Sequence, residues 1–258
     1  MKNILIVLFL TLIALFSCVA DETDKMKVEE NSCPCPVEEK DKDKTPWENS
    51  FNLGYNKTQG NSDTSLLNMK IISVYDQDKN NFRLEADHSF GDNDSETNVD
   101  TSNALAEYKR ILNEKLYSAI GSKYNRNEIS DVKYRVTINP ALGYFLYKDN
   151  PGFFNVEAGP SYLFEEVGDV SDDYLGVRFA ERFEYKLSDT AKIFHNAEII
   201  GSTEDSDNYI VQGEVGIETK IIEGFNLIFT LRDVFDNQPA EDKKKNDLMM
   251  LTSFGVSF

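Results

Sequence analysis

The run Phe82-Arg83-Leu84-Glu85-Ala86-Asp87-His88-Ser89-Phe90 decides the fold class, because its side chains change character at every step. Phe82, Leu84, Ala86, His88 and Phe90 fall on one face, and Arg83, Glu85, Asp87 and Ser89 on the other. A period of two is that of a pleated strand, whose successive side chains leave opposite faces; an amphipathic helix repeats at 3.6.

Working outward, the same alternation runs from Trp47 to the last residue. Upstream, Trp47, Phe51, Leu53 and Tyr55 alternate with polar neighbours, and Leu67, Met69, Ile71 and Tyr75 with Asn68 and Lys70. Downstream, Val132, Tyr134, Val136, Ile138, Leu142 and Tyr144 alternate with Lys133, Arg135, Thr137 and Asn139. Five later runs repeat the pattern around Val156, Phe179, Val211, Phe229 and Phe254. Ile72, Val74, Ile228, Met249 and Leu251 break it, sitting where polar residues are expected. Residues 103–119 fit a helix on periodicity alone, but strand-length segments on either side favour two strands with a turn at Asn113-Glu114. About twelve strands result. Tight connections (76–80, 113–114, 148–151, 188–190, 223–224) alternate with longer acidic ones (58–64, 91–98, 125–131, 166–173, 202–208, 236–246). Short turns at one end and longer loops at the other suit an up-and-down transmembrane barrel with both termini on the turn side.

The 258 residues carry 27 Lys plus Arg against 45 Asp plus Glu, a formal charge of -18. That excess repels nucleic acid, so no nucleic-acid partner is expected. A mean hydropathy of -0.45 excludes a bundle of membrane helices but not a membrane barrel, where polar and apolar positions alternate. Lys2 precedes an apolar run, residues 4–16, of secretory h-region length, and Cys18-Val19-Ala20-Asp21 offers cleavage after Ala20. Residues 1–20 are therefore expected to be a signal peptide and 21–45 a disordered acidic leader, with the barrel over 46–258. Leu15-Phe16-Ser17-Cys18 is a loose lipobox, which makes Cys18 a candidate for lipidation. Cys33 and Cys35, separated by one residue, are too close for an unstrained disulfide and too few for a closed zinc site.

Alternation alone does not say which face meets which solvent. In a soluble sandwich or barrel the apolar set turns inward; in a membrane barrel it turns to lipid. Three features favour the second. Phe254, Val256 and Phe258 share one face of a terminal strand, as in the signal by which the outer-membrane assembly machinery recognises its clients. The runs are about ten residues long, which suits a tilted transmembrane strand. Tyr and Phe gather near run ends, as interfacial girdles require. The expectation is an all-β, outer-membrane barrel in contact with lipid. The alternative is a secreted or periplasmic soluble β-barrel or sandwich that binds a small apolar ligand.

On the membrane reading, Lys70, Arg83, Glu85, Arg135, Glu157, Arg178, Arg182, Glu184, Glu214, Glu218 and Arg232 line the lumen. Such opposed charges either pair into a plug or line a polar path for small solutes or ions. No enzyme is expected. His88 and His195 both lie on apolar faces without a nucleophile, and no HExxH, P-loop, GxSxG or CxxC motif occurs. No cofactor or metal is implied, and the acidic loops lack EF-hand spacing.

The stretch SFNLGYNKTQGNSDTSLLNMKI (residues 50–71) resembles the opening hairpin of the YdiY-like family, a domain of unknown function described as a salt-induced outer-membrane protein. VEAGPSYLFEE (156–166), DDYLGVRFAERFEYKLSDT (172–190), STEDSDNYIVQGEVGIETKI (202–221) and the closing DNQPAEDKKKNDLMMLTSFGVSF are similar in the same order. The resemblance covers 47–258 and implies an outer-membrane β-barrel with a stress-linked role. It brings no substrate, cofactor or catalytic residue.

Overall fold

The computed structural model describes residues 46–59, 63–77 and 79–258. The expected signal peptide, the leader with Cys33 and Cys35, and the Cys18 lipidation site lie outside the described residues. Twelve strands follow one another without a helix among the described residues: β1 (Trp47–Thr58), β2 (Thr64–Gln77), β3 (Asn80–Asn93), β4 (Glu96–Ile111), β5 (Leu116–Asn127) and β6 (Val132–Asp149). β7 (Gly152–Val167), β8 (Val170–Lys186), β9 (Ala191–Ser202), β10 (Tyr209–Ile222), β11 (Phe225–Asp236) and β12 (Asn246–Ser257) complete the set. Each pairs antiparallel with its sequence neighbours, and β12 returns to β1, so the sheet is a closed barrel. The ambiguous 103–119 segment is the strand pair β4–β5. Asn113 makes the turn, its Oδ1 accepting the backbone N–H groups of Lys115 and Leu116 at 3.0 and 2.9 Å.

The two faces are sorted by chemistry. Outward positions include Leu53, Ile71, Leu84, Ile138, Phe179, Ile217 and Phe229, all exposed, and Leu142 and Phe254 are 66% and 62% exposed. Inward positions include Arg135, Glu157, Arg178 and Glu198, all at most 7% exposed. A folded chain that shows its apolar set and hides its ions inverts the usual soluble arrangement. The soluble alternative, which needs an apolar interior, does not match this sorting. Aromatic rings edge the outer face. Trp47, Tyr75, Phe82 and Tyr108 form a row across β1 to β4 with centroids 5.2, 5.9 and 4.7 Å apart, at the end holding both termini of the barrel. Tyr162–Phe164 and Tyr209–Phe235 pair toward the opposite end.

Two of the connections expected to be long are tight. β3 and β4 are joined through residues 94–95 alone, both with positive φ (51° and 68°), which gives the backbone of a two-residue hairpin turn. β7 and β8 are joined through 168–169, with Gly168 at φ 61°. The acidic residues on either side continue the strands beyond the apolar band. The length contrast between the two ends thus rests chiefly on 59–63, 203–208 and 237–245. A register shift between Val132 and Tyr134 also corrects two face assignments. Val132 is buried against the lumen, while Lys133 is exposed and bonds Glu166 at 2.9 Å on the rim.

Inside, Tyr117 is fully buried because Gly143 opposite it has no side chain: a Cβ there would lie 2.1 Å from the ring. The Tyr117 hydroxyl donates to Glu157 at 2.9 Å. Gly143→Val is expected to displace the ring and destabilise the barrel by about 1–3 kcal/mol. The temperature at which the folded electrophoretic band converts to the unfolded one should fall, while Gly121→Val, where a Cβ would meet only the Ala106 carbonyl oxygen at an unstrained 3.9 Å, should shift it less.

Candidate functional site

The interior holds a cavity of about 520 Å³, and the structure places Lys70, Arg83, Glu85, Arg135, Glu157, Arg178, Arg182, Glu184, Glu214, Glu218 and Arg232 on its wall. Alternation places them there: with β2 fixed so that Ile71 points out, Lys70 points in, and the ladder carries the parity to Arg83, Glu85 and Asp87. Parity is kept through β7 to β11, where Glu157, Arg178, Arg182, Glu184, Glu214, Glu218 and Arg232 all turn inward.

These charges are paired, and several pairs span the lumen. Arg232 reaches from β11 to Asp87 on β3 at 3.1 Å while holding Glu214 at 3.0 Å. Arg135 reaches from β6 to Asp236 on β11 at 2.7 Å, and also binds Glu165 beside it. Lys123 on β5 meets Glu198 on β9 at 2.7 Å, and Lys109 on β4 meets Glu157 on β7 at 2.8 Å. Arg178 ties the last two together, binding Glu157 at 2.9 Å and also Glu198. Lys70 bonds Glu85 at 3.0 Å, and Arg182 bonds Glu184 at 2.8 Å. The lining was foreseeable from alternation. The partners Lys109, Lys123, Glu165, Glu198 and Asp236 complete it, and only tertiary geometry says which acid meets which base.

The loop-end mouth is narrowed by residues 237–245, with Pro239, Lys244 and Lys245 on the cavity wall. Gln238 donates to Asp205 at 2.8 Å, Asn237 to the Asp207 carbonyl at 2.8 Å, and Ser130 to Asp247 at 2.5 Å. The Asp207 N–H, then the Gln238 amide, hold the Asp205 carboxyl below the usual range. That clasp therefore persists on mild acidification and loosens only as pH falls through the lowered value. Below the mouth, Leu163, Tyr174, Ile200 and Ile210 pack on one another as a small apolar cluster.

The histidines face outward, as their neighbours implied. His88 Nδ1 lies 3.0 Å from Ser102 Oγ, and His195 contacts Glu181. Glu181 is an outward carboxylate in the middle of β8 that alternation should have flagged, since it interrupts the apolar series Phe179, Phe183, Tyr185. No group of three or more His, Cys, Asp or Glu among the described residues could hold a metal ion.

An apolar-coated, ion-filled, twelve-stranded antiparallel barrel is the class these faces define. The chain belongs to the family described as "Protein of unknown function, DUF481", which matches residues 51–258. No curated protein matches it. Among solved structures it is similar to the translocator domain of autotransporter NalP from Neisseria meningitidis (11% identity, 84% of this chain and 90% of that one, TM-score 0.45). It is also similar to the KdgM porin in complex with disordered oligogalacturonate (10%, 81% and 98%, TM-score 0.45). A third is the COG4313 outer membrane channel from Pseudomonas putida F1 (10%, 82% and 95%, TM-score 0.49).

Arg178 is the residue on which the interior network turns. Arg178→Met leaves Glu157 and Glu198 each short of a cation and should cost about 3–5 kcal/mol, read as a lowered midpoint of heat- or urea-induced unfolding in detergent. Adding Glu198→Gln should recover part of that loss, because the uncompensated carboxylate is gone.

Proposed function

We propose that the chain is an outer-membrane barrel that contributes to envelope structure and lets only small ions or solutes through a narrow, charge-paired lumen. The observation that carries this reading is the inverted sorting of the two faces. An exposed apolar belt between two aromatic edges is at its lowest free energy in a bilayer, and the acids and bases in the body of the lumen are paired with one another. The terminal Phe254, Val256 and Phe258 fit an assembly signal: Phe254 points outward, and Val256 pairs with Phe51 of β1 at the closing edge. Ion pairs that span the lumen favour restricted passage over an open pore. A stress-linked role, implied by the YdiY-like resemblance, belongs to the same reading.

Trp47 is the chain's single tryptophan and lies in the turn-end aromatic row, which makes it a natural reporter. Its fluorescence should be quenched by phospholipids brominated high on the acyl chain and little affected by aqueous acrylamide. The protein should require detergent for extraction; recovery in a soluble periplasmic fraction would defeat the proposal. Val215→Arg places a charge on the outer face and should cost about 2–4 kcal/mol, measured as urea unfolding in lipid vesicles.

In planar bilayers the purified protein should give small conductance steps. Arg182→Glu, which reverses a lining charge, should shift their selectivity toward cations. Absence of any steps across a range of salt would leave envelope structure as the whole role.

A further inference from the structure

One connection bridges the loop-end mouth. Residues 237–245, between β11 and β12, lie on the cavity wall through Pro239, Lys244 and Lys245, and the start of β12 continues that wall through Asp247, Leu248 and Met249. Asp247 accepts bonds from Ser130 Oγ at 2.5 Å and Asn127 Nδ2 at 3.3 Å, both at the corner between β5 and β6. In a closed ring of twelve strands β6 stands six places from β12, so this contact joins opposite sides of the mouth. Ala240 rests on the β7–β8 turn: a Cβ on Gly168 would lie 3.6 Å from the Ala240 Cβ.

This strap is lightly held. Glu241 to Asp247 are exposed, and Ala240 is the strap's one buried residue. Gln238 Nε2 donates to Asp205 and Asn237 Nδ2 to the Asp207 carbonyl, both at 2.8 Å and both in contact with solvent. Exposed bonds of this kind exchange with water at little net cost, and segments held by few buried contacts are the first to open. The root of the strap is also free on one side. Every other pair of neighbouring strands is matched in register at eleven or more positions. β1 and β12 are matched at four, from Ser50–Ser257 to Leu53–Phe254. From Asn246 to Ser253, β12 is therefore matched to β11 alone. A strand end with one neighbour can bend where one with two cannot.

We propose that residues 237–245 are a gate over the lumen, which lifts on a hinge at the one-sided start of β12 and widens the loop-end mouth. The ion pairs deeper in the barrel stay in place as it moves. The structure holds the closed form. Because the strap's contacts are few and separable while the ladder beneath is continuous, a minor open population exists without any ligand, and loss of rim bonds raises it. The gate rests on the membrane-barrel reading above, whose passage it regulates.

Gly168→Cys/Ala240→Cys, made in the full-length chain with Cys18, Cys33 and Cys35 replaced by Ser, sets two Cβ atoms 3.6 Å apart, within the range a disulfide needs. In planar bilayers the reduced protein should pass between a small and a larger current level. Oxidation, checked by loss of maleimide labelling, should confine it to the small level. Dithiothreitol should restore the larger one, so the same molecules serve as the control for folding. Gln238→Ala/Ser130→Ala removes two rim bonds and no charge. It should raise the fraction of time at the larger level at least threefold without changing the size of either level. Oxidised protein that still visits the larger level, a cysteine pair that does not oxidise, or a release variant of unaltered occupancy would overturn the gate. No current from the release variant, in protein that inserts and needs detergent for extraction, would overturn the gate and leave the membrane reading standing. Extraction without detergent would overturn that reading itself.

Discussion

Everything in this barrel follows from putting ions on the enclosed side of the sheet. A strand of period two offers one face to each environment, and once twelve strands close on themselves the inner face has nowhere to turn. A carboxylate held there is tolerable only beside a cation, since stranding a buried charge costs several kcal/mol. The chain meets this by filling the interior with reciprocal pairs. Arg178 lies between Glu157 and Glu198, and Arg232 between Asp87 and Glu214. The charge of -18 carried by the whole chain is therefore not a property of the lumen, where bases and acids are matched. The excess resides in the loops, the rim and the residues that precede the barrel.

The outer face carries the opposite obligation. It holds Leu142, Phe179 and Phe254 in the open, where in water they would drive association, and aromatic residues frame it at both ends. The apolar belt and the ionic interior are one design, since either alone would leave the sheet with a face at odds with its surroundings. Glu181 and His195 are the exception on that outer face. They contact each other and are both buried instead of standing apart.

The fold was legible because a period of two needs no tertiary context: Phe82 to Phe90 alternate whatever they pack against. The lining of the lumen was legible for the same reason, as Lys70 or Arg178 could only lie opposite Ile71 or Phe179. Partner identity was not, because Arg232 and Asp87 are separated by most of the chain and meet only through closure. Lys133 was misplaced because the shift beside it adds a residue to one strand, which local alternation does not reveal. The acidic connections after β3 and β7 looked long because polar residues usually mark loops, yet a strand that projects beyond an apolar band is polar on both faces. Ile228, Met249 and Leu251 were visible as irregularities, and their neighbourhood became apparent only with β11 and β12 paired.

The bridges that span the lumen also bear on the order in which such a sheet can be completed. Arg232 on β11 cannot neutralise Asp87 on β3, nor Arg135 on β6 neutralise Asp236, until nearly the whole chain has curled round. In the bilayer proposed for this chain, a half-built sheet would expose unmatched ions on its concave side, and hydrocarbon would reject it. Insertion and ring closure are thereby coupled electrostatically: the last strands bring the countercharges of the first, and the finished cylinder alone is neutral enough inside to stay where its exterior is welcome.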